Sequence, residues 1–265
     1  MSDEVRVESE GALTVVTIHR PQARNAIGLA TMGKLEAALS EVGRSDASVV
    51  VITGAGRHAF VSGGDLKELE AVRTTTDAER MATRMRSILD NLIRLPMPVV
   101  AALNGHAFGG GAEVAVAADI RLAADDIRIG FTQSTLGIMP AWGGAERLTE
   151  LVGRSRAMLL LCAGEVLDAQ EALSIGLVDQ VLPRAGFEEG WRRQAQRLAS
   201  PPAAVTRSIK GVVSSVRPGT HPATEAASVR SFAELWAAPA HWERAATAEL
   251  LRRQAKAERR SSSLG

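Results

Sequence analysis

The feature that most constrains this chain is a glycine-rich turn between an apolar strand-like segment and a helix-like one. Residues 98–103 (PVVAAL) have the composition of a buried strand, residues 114–118 (VAVAA) that of a helix, and the run NGHAFGGGAE lies between them at 104–113. Consecutive glycines remove every Cβ from the bend, so the backbone can approach a ligand closely. The first N–H groups of the following helix lack intrahelical acceptors and lie at the positive end of its dipole. This turn is predicted to hold an anion or a developing oxyanion, with Glu113 close to it.

A second stretch has the same arrangement. Residues 48–53 (SVVVIT) are predicted to be a buried strand, and after a short loop the segment 60–67 (FVSGGDLK) again places adjacent glycines before an acidic residue. Two glycine turns could each direct one N–H group at a single oxygen, which is how a two-donor oxyanion hole is built. The alternative is that these glycines only end strands.

Strand-like and helix-like segments alternate through the first 200 residues. Strands are predicted at 5–7, at 13–18 and from Val49, and helices at 29–42 and from about 78 to 95. From residue 201 onward the sequence is helical in pattern and interrupted by prolines, without a strand candidate. This order predicts an α/β fold followed by an all-α C-terminal region.

Composition excludes several classes of function. The 265 residues carry a formal net charge of +1 and only 3% aromatic side chains, which argues against a nucleic-acid partner. The single cysteine, Cys162, excludes an internal disulfide framework, and its apolar helical context predicts a place in the core. No metal-binding pattern is present. The charged N-terminus is unlike a signal peptide and no apolar stretch is long enough for a membrane helix, so we expect a cytoplasmic protein without membrane contact.

Five motifs, in order along most of the chain, carry a specific resemblance. They are RPQARNA at 20–26, SGGD at 62–65, the run at 104–113, LGIMPAWGG at 136–144 and ALSIGLV at 172–178. With them the chain resembles the enoyl-CoA hydratase/isomerase (crotonase) superfamily. The resemblance implies a crotonase-like spiral of ββα units in residues 1–200 for acyl-CoA binding and catalysis, and a helical oligomerisation region in 201–265. It also implies a homotrimer or a dimer of trimers.

The resemblance also implies roles for individual residues. The thioester carbonyl oxygen of an acyl-CoA would lie between the backbone N–H groups of Gly64 and Gly110, and Glu113 matches the first of the family's two catalytic glutamates. The adenine of coenzyme A would lie near Ala23 and Arg24. Further substrate or coenzyme contacts are expected at Ser62, Gly63, Asp65, Leu66, Lys67, His106, Gln133, Pro140 and Trp142. Coenzyme A enters as part of the substrate, and no separate cofactor or metal is expected.

Two of these assignments keep an alternative. Lys67 is either a phosphate partner or an ordinary solvated lysine. His106 either acts as an acid in the acyl pocket or is satisfied by local hydrogen bonds. Ser62 lacks the Gly-x-Ser-x-Gly context of a serine hydrolase, so it is not expected to be a nucleophile.

One departure from the family pattern bears on the reaction. The second glutamate usually lies four residues before the glycine of the Leu-Gly pair, and here that position is Gln133, with no carboxylate between Asp126 and Glu146. Hydration needs one group to activate water and another to deliver the α-proton, whereas decarboxylation needs a single proton donor. The segments 136–144, 62–66 and 235–240 are also similar to ethylmalonyl-CoA decarboxylase-like members.

An acyl-CoA lyase of the alkylmalonyl-CoA decarboxylase kind is therefore expected. The alternatives are a 2-enoyl-CoA hydratase or enoyl-CoA isomerase that uses Glu113 alone, and a non-catalytic acyl-CoA binding protein.

Overall fold

The computed structural model describes residues 4–215 and 222–262. The strands are β1 (Val5–Glu10), β2 (Leu13–Ile18), β3 (Val49–Gly54), β4 (Ala59–Val61), β5 (Val99–Leu103), β6 (His106–Phe108), β7 (Ile120–Ala124), β8 (Arg128–Gly130), β9 (Val166–Asp168) and β10 (Gln180–Leu182). The helices are α1 (Leu29–Gly43), α2 (Thr75–Arg94), α3 (Gly110–Val116), α4 (Gly144–Val152), α5 (Arg154–Ala163), α6 (Ala169–Ser174), α7 (Phe187–Ala199), α8 (Ala203–Ser215), α9 (Pro222–Ala237) and α10 (Pro239–Ser262). Short 3₁₀ helices lie at Pro21–Ala23, Leu69–Ala71 and Thr132–Leu136.

The core is a repeated ββα unit. Three times in succession a strand of a six-stranded sheet is followed by a strand of a four-stranded sheet and then by a helix, as β3-β4-α2, β5-β6-α3 and β7-β8-α4. The six-stranded sheet has the order β1-β2-β3-β5-β7-β10, parallel except for the antiparallel edge strand β1. Strands β3 and β5 are buried along their whole length, as expected where both faces of a parallel sheet are covered. The predicted spiral of ββα units is confirmed.

The four-stranded sheet positions the glycine turns. Strands β4, β6 and β8 are parallel neighbours, and β9 closes the sheet antiparallel to β8. Since the carboxyl ends of parallel strands meet at one edge of a sheet, the Ser62–Gly64 turn after β4 lies beside the turn that follows Phe108 at the end of β6. The two segments that are predicted to direct N–H groups at one oxygen therefore lie side by side at this edge.

A buried asparagine connects successive turns of the spiral. The Asn104 side chain accepts a 3.0 Å hydrogen bond from the Gly54 N–H, and its Nδ2 donates to the carbonyl oxygens of Gly54 at 2.7 Å and Gly56 at 2.6 Å. A Cβ on Gly105 would lie 2.4 Å from the Ala59 nitrogen, so only glycine lets β6 begin this close to β4. The first glycine of the motif thus serves strand packing.

The C-terminal region is attached to the core of its own chain. Its described residues form α8, α9 and α10 without a strand, and α9 packs against α2. The Trp236 Nε1–H donates a 2.7 Å hydrogen bond to the Val72 carbonyl, and the His241 Nδ1–H donates one of 2.8 Å to the Leu136 carbonyl. Val72 and Leu136 lie in the segments that follow β4 and β8, so the last two helices hold both segments.

The structure corrects the expectation for Cys162, which is exposed. Helix α5 packs on the core through Ala157 and Leu160, and Cys162 lies on the opposite side, two positions after Leu160. Met158 and Leu159 are also 56% and 63% exposed, so the apolar sequence of α5 reflects an apolar surface as well as a buried edge. Among the described residues, no helix is both long and apolar enough to span a membrane.

Candidate active site

The two glycine turns lie close enough that a side chain on one would meet the other. A Cβ on Gly63 would lie 3.2 Å from the Phe108 carbonyl oxygen and 3.5 Å from the Gly110 nitrogen. Gly63 and Gly109 have φ angles of +111° and +55°, in the region that favours glycine, so both bends favour glycine for conformation, and Gly63 is also closely packed.

In the described part of the chain, the N–H groups of Gly64 and Gly110 form no backbone hydrogen bond. Gly64 forms a parallel bridge with Ile27, in which the bonded groups are the flanking Gly63 carbonyl and Asp65 N–H, so its own N–H points away from Ile27. Gly110 is the first residue of α3, so no carbonyl group of the helix precedes it and its N–H has no intrahelical acceptor. This is the arrangement that a two-donor oxyanion hole requires.

The Trp142 indole packs against both turns. A Cβ on Gly110 would lie 2.1 Å from Trp142 Cζ3, and one on Gly64 would lie 3.9 Å from the same ring. The ring is 5% exposed. Trp142 therefore lies beside the predicted oxyanion donors, and its contact with a substrate stays a prediction.

Glu113 is buried beside the turns and accepts three hydrogen bonds. Its Oε2 accepts from the backbone N–H groups of Trp142 and Gly144, both at 2.8 Å, and its Oε1 accepts from Gln133 Nε2 at 2.9 Å. A Cβ on Gly144 would lie 2.3 Å from Glu113 Cγ, so the loop can close on the carboxylate only with glycine there. One glutamate thus holds the segment that carries Trp142.

Burial dominates the electrostatics of this carboxyl group. Desolvation raises the pKa of Glu113 from its ordinary value of 4.5 to about 7, against the hydrogen bonds from Gly144 and Trp142 and the charge of Arg147, all of which lower it. A carboxyl group that titrates near neutral pH can exist in either form under working conditions, which suits a general acid or base.

Gln133 is placed to accompany both forms of Glu113. Its Nε2 donates to the carboxylate, while its Oε1 is buried without a hydrogen-bond partner among the described residues. If the side-chain amide turns over, Oε1 can accept a hydrogen bond from protonated Glu113 instead. The residue beside Glu113 is thus a neutral amide, which can donate a hydrogen bond to the carboxylate or accept one from the carboxylic acid.

The expected coenzyme segment lies alongside the first glycine turn. The Ser62 N–H donates to the Arg24 carbonyl at 3.2 Å, and the Ile27 N–H donates to the Gly63 carbonyl at 2.9 Å. Ala23 ends the 3₁₀ helix Pro21–Ala23, and Arg24 follows it with a φ of +53°. Ala23 and Arg24 are therefore next to the predicted oxyanion hole in space, although about 40 residues separate the two segments in sequence.

The remaining residues of the SGGDLK segment differ in surroundings. Asp65 forms a 2.9 Å ion pair with Arg20, so it ties this turn to the end of β2. Leu66 is half-buried against the core and Lys67 is exposed. Ser62 is half-buried at the start of the turn. An exposed Lys67 is compatible with either of the roles expected for it.

His106 is not brought together with Glu113. It lies at the first position of β6, at the opposite end of that strand from Gly110, and its Nδ1 accepts a 3.0 Å hydrogen bond from the Arg128 N–H. Burial, the largest effect, lowers its pKa, and nearby Asp126 opposes this. This environment matches the local hydrogen-bonding alternative. Pro140 is buried two residues before Trp142, in the loop held by Glu113.

The sequence patterns missed an ion pair behind the site, between a buried arginine and a half-buried aspartate. Arg147 on α4 and Asp90 on α2 form an ion pair, and Arg147 Nη1 donates a 2.6 Å hydrogen bond to the Trp142 carbonyl. The signal that was available is that Arg147 falls among the buried positions of α4, whereas Asp90 lies at the edge of the buried face of α2. Among the described residues, His, Cys, Asp and Glu side chains form no group of three that could hold a metal ion.

Comparison with known proteins agrees with the motifs. A family model described as enoyl-CoA hydratase/isomerase matches residues 8–250. The short-chain-enoyl-CoA hydratase of Clostridium acetobutylicum is 35% identical over 212 residues, which cover 79% of this chain and 81% of the relative. The ethylmalonyl-CoA decarboxylase of Bos taurus is 34% identical over 220 residues, covering 82% and 71%. The crystal structure of an enoyl-CoA hydratase from Mycobacterium avium subsp. paratuberculosis has a TM-score of 0.84 at 27% identity, covering 93% of this chain and 99% of that one. These matches confirm the resemblance that the motifs indicated.

Proposed function

Because the chain belongs to the enoyl-CoA hydratase/isomerase family, we propose that it is an acyl-CoA lyase that removes carbon dioxide from an alkylmalonyl-CoA. The thioester carbonyl oxygen lies between the N–H groups of Gly64 and Gly110, and Glu113 is the proton donor. The Gly64 N–H points away from Ile27, and the Gly110 N–H lies at the start of α3 without an intrahelical acceptor, which supports the first assignment. Burial of Glu113 against the same loop supports the second.

The observation that carries the choice of reaction is the Gln133 amide bonded to Glu113 at 2.9 Å. An amide does not take a proton from water at neutral pH, so the side chain beside Glu113 cannot act as a second general base. Addition of water to an enoyl thioester needs both a base and an acid, whereas decarboxylation needs only one proton donor. A single titratable carboxyl group next to a neutral amide therefore favours decarboxylation.

The reaction balances with these groups alone. The bond from Cα to the carboxylate breaks, carbon dioxide leaves, and the electron pair moves into an enolate whose oxygen accepts hydrogen bonds from the two N–H groups. Protonated Glu113 then gives its proton to Cα, which yields the decarboxylated acyl-CoA, and the Glu113 carboxylate takes up a proton from the solvent, so that each turnover consumes one proton. Each N–H donor of such a hole typically contributes about 3–4 kcal/mol to transition-state stabilisation.

Coenzyme A is proposed to bind along the edge formed by residues 23–24 and 62–67. The adenine ring would contact the backbone of Ala23 and Arg24, and a phosphate would meet Lys67. The hydrogen bond from the Ser62 N–H to the Arg24 carbonyl supports this, because it brings the adenine segment to the oxyanion turn.

The test is a direct comparison of substrates with the purified full-length protein. Methylmalonyl-CoA, ethylmalonyl-CoA and crotonyl-CoA are supplied separately, and carbon dioxide release and acyl-CoA products are measured. We expect loss of carbon dioxide from at least one malonyl thioester and slow or no hydration of crotonyl-CoA. Rapid hydration of crotonyl-CoA without carbon dioxide release would contradict the proposal.

The second candidate is a 2-enoyl-CoA hydratase or an enoyl-CoA isomerase that uses Glu113 alone. It is favoured by the relative at 35% identity, which is named a short-chain-enoyl-CoA hydratase. A third outcome, coenzyme A binding without turnover of any of the three thioesters, would instead indicate a binding protein.

Assembly as a homotrimer or a dimer of trimers is proposed on the exposed apolar side chains of α8. Val205, Ile209 and Val213 follow one another at intervals of four residues, which places them on one face of the helix, and they are 45%, 57% and 65% exposed. Burial of this stripe against another subunit would remove it from water. Light scattering after size exclusion tests the oligomeric state, and a monomer at micromolar concentration would contradict it.

A further inference from the structure

The guanidinium of Arg147 lies directly behind the loop that binds Glu113. Its Nη1 donates to the Trp142 carbonyl at 2.6 Å, and a Cβ on Gly143 would lie 2.6 Å from its Cζ. The N–H groups that Glu113 accepts from belong to Trp142 and Gly144, on either side of Gly143. One face of this short loop therefore contacts the carboxylate and the other contacts the arginine.

A carboxylate on another helix holds the arginine in place. Asp90 on α2 pairs with Arg147 Nη2, and one turn earlier on the same helix Arg86 pairs with Glu146 at 2.8 Å. Arg147 and Arg86 are 6% and 5% exposed, so both guanidinium groups are largely removed from water, while their partners Asp90 and Glu146 are half-buried. Removal of one partner of such a pair leaves a buried charge without compensation, and the effect on neighbouring charges is then large.

We propose that the Arg147–Asp90 pair is a positioning device for Glu113, which fixes the 142–144 loop on its carboxylate and sets the charge balance under which it holds or releases its proton. This inference deepens the proposed function, because it assumes that Glu113 is the proton donor. The pair touches neither substrate nor reacting atoms and acts only through the loop and its field.

The charges around Glu113 determine the direction in which each substitution should shift its pKa. Arg147 lowers the pKa of Glu113, and Glu146 on the same helix raises it. From α2, Asp90 opposes the field of Arg147, and Arg86 opposes that of Glu146. Gln133 and the backbone N–H groups of the 142–144 loop complete the surroundings and carry no net charge.

Opposite substitutions should therefore move the titration of Glu113 in opposite directions. Arg147→Gln removes a positive charge and leaves Asp90 and Glu146, so the pKa of Glu113 should rise. Asp90→Asn leaves the positive charge of Arg147 without its partner, so the pKa should fall. Arg147→Lys keeps the charge and loses the planar fork, so the titration should stay near that of the wild type while loop positioning is weakened.

The first readout needs no activity. Melting temperature is measured against pH for each protein and for the same protein with Glu113→Gln added, and the difference within each pair isolates the titration of Glu113. A raised pKa in the folded state gives stability that is full below the unfolded value and is lost as pH rises through the folded value. We expect the pH at which this stability is lost to be higher in Arg147→Gln and lower in Asp90→Asn.

The second readout is the pH dependence of turnover, in which the fall at high pH should move in the same directions. Arg121→Gln is the matched control, because Arg121 is a buried arginine paired with Asp179 at 2.6 Å away from this loop. It should lower the melting temperature without changing the pH at which the stability from Glu113 is lost. If that pH is unchanged in both charge variants, or shifts in the same direction in both, the proposal is overturned. Opposite shifts in melting behaviour without turnover of any thioester would support it and reject only the proposed function.

Discussion

Gln133 Nε2 donates a 2.9 Å hydrogen bond to Glu113 Oε1, and both side chains are buried. This contact joins the first turn of α3 to the 3₁₀ helix Thr132–Leu136, whose last carbonyl is held by His241. The chemistry available to the site depends on which of the two residues can change its protonation. Only Glu113 can.

Substitution of Glu113 by Gln should abolish most of the activity and preserve the fold. We expect turnover to fall by roughly 10²–10⁴, the usual contribution of a general acid. The new amide can still accept from the two backbone N–H groups and donate to Gln133 Oε1, so its hydrogen bonds are satisfied. Turnover and melting temperature are measured on the same preparation, and full activity would exclude Glu113 from the chemistry.

The same variant should be at least as stable as the wild type above neutral pH. The pKa of Glu113 is raised from 4.5 to about 7, so the folded state binds the proton more tightly than the unfolded state. The stability that this gives is complete below pH 4.5 and is lost as pH rises to about 7, a change of roughly 3 kcal/mol. Chemical unfolding of both proteins at acid and alkaline pH measures it. If the wild type instead gains stability relative to the variant as pH rises, the prediction is wrong.

Turnover should fall as pH rises past about 7. In the proposed reaction the product forms only from protonated Glu113, so its pKa, raised to about 7, would set the midpoint. Rates are compared on a malonyl thioester at saturating concentration across this range. If the rate instead rises with pH through 7, the carboxylate acts as a base, and the hydratase or isomerase alternative gains support.

Replacement of Gln133 by Glu should add the second carboxyl group that hydration needs. The new side chain would lie against Glu113, and two carboxyl groups in contact share a proton, so one of them takes a raised pKa. We expect crotonyl-CoA hydration to increase and decarboxylation to decrease. Gln133→Met, of similar length without hydrogen bonding, is the control and should lower decarboxylation without adding hydration. Equal hydration by both variants would show that the carboxyl group is not the cause.

Replacement of Gly110 by Val should nearly abolish turnover. Even its Cβ would lie 2.1 Å from the Trp142 ring, so the loop and the Gly110 N–H must shift. Loss of one oxyanion donor typically costs about 10²–10³ in rate. Gly211→Val is the matched control, because Gly211 lies in α8 with open space around it. Comparable activity in both variants would remove Gly110 from the site.

Sequence patterns predicted the architecture well where local signals were strong. The alternation of apolar strands and amphipathic helices predicted β2, β3, α1 and α2, and the two glycine motifs were brought to one edge of the small sheet. The helical C-terminal region was also predicted, but its hydrogen bonds to Val72 and Leu136 were not. Contacts between residues more than 100 positions apart leave no local periodicity to detect.

The side-chain environments were harder to predict. His106 follows Asn104 and Gly105 in the motif, yet the strand direction carries it to the far end of β6. Cys162 lies in an apolar helix whose exposed side is apolar too. The role of Arg147 depends on a loop that folds back between it and Glu113, a geometry that spacing alone cannot give.

Because both predicted oxyanion donors are main-chain groups fixed by parallel strands, exchange of side chains around them need not disturb the anion site. Each turn requires only glycine and the strand before it. In the proposed reaction, a glutamine at position 133 in place of the family's usual glutamate would therefore leave the stabilisation of an enolate intact. On this proposal, the side chain at position 133 would determine the fate of that intermediate, because it decides which neighbour supplies the proton and whether water can be activated.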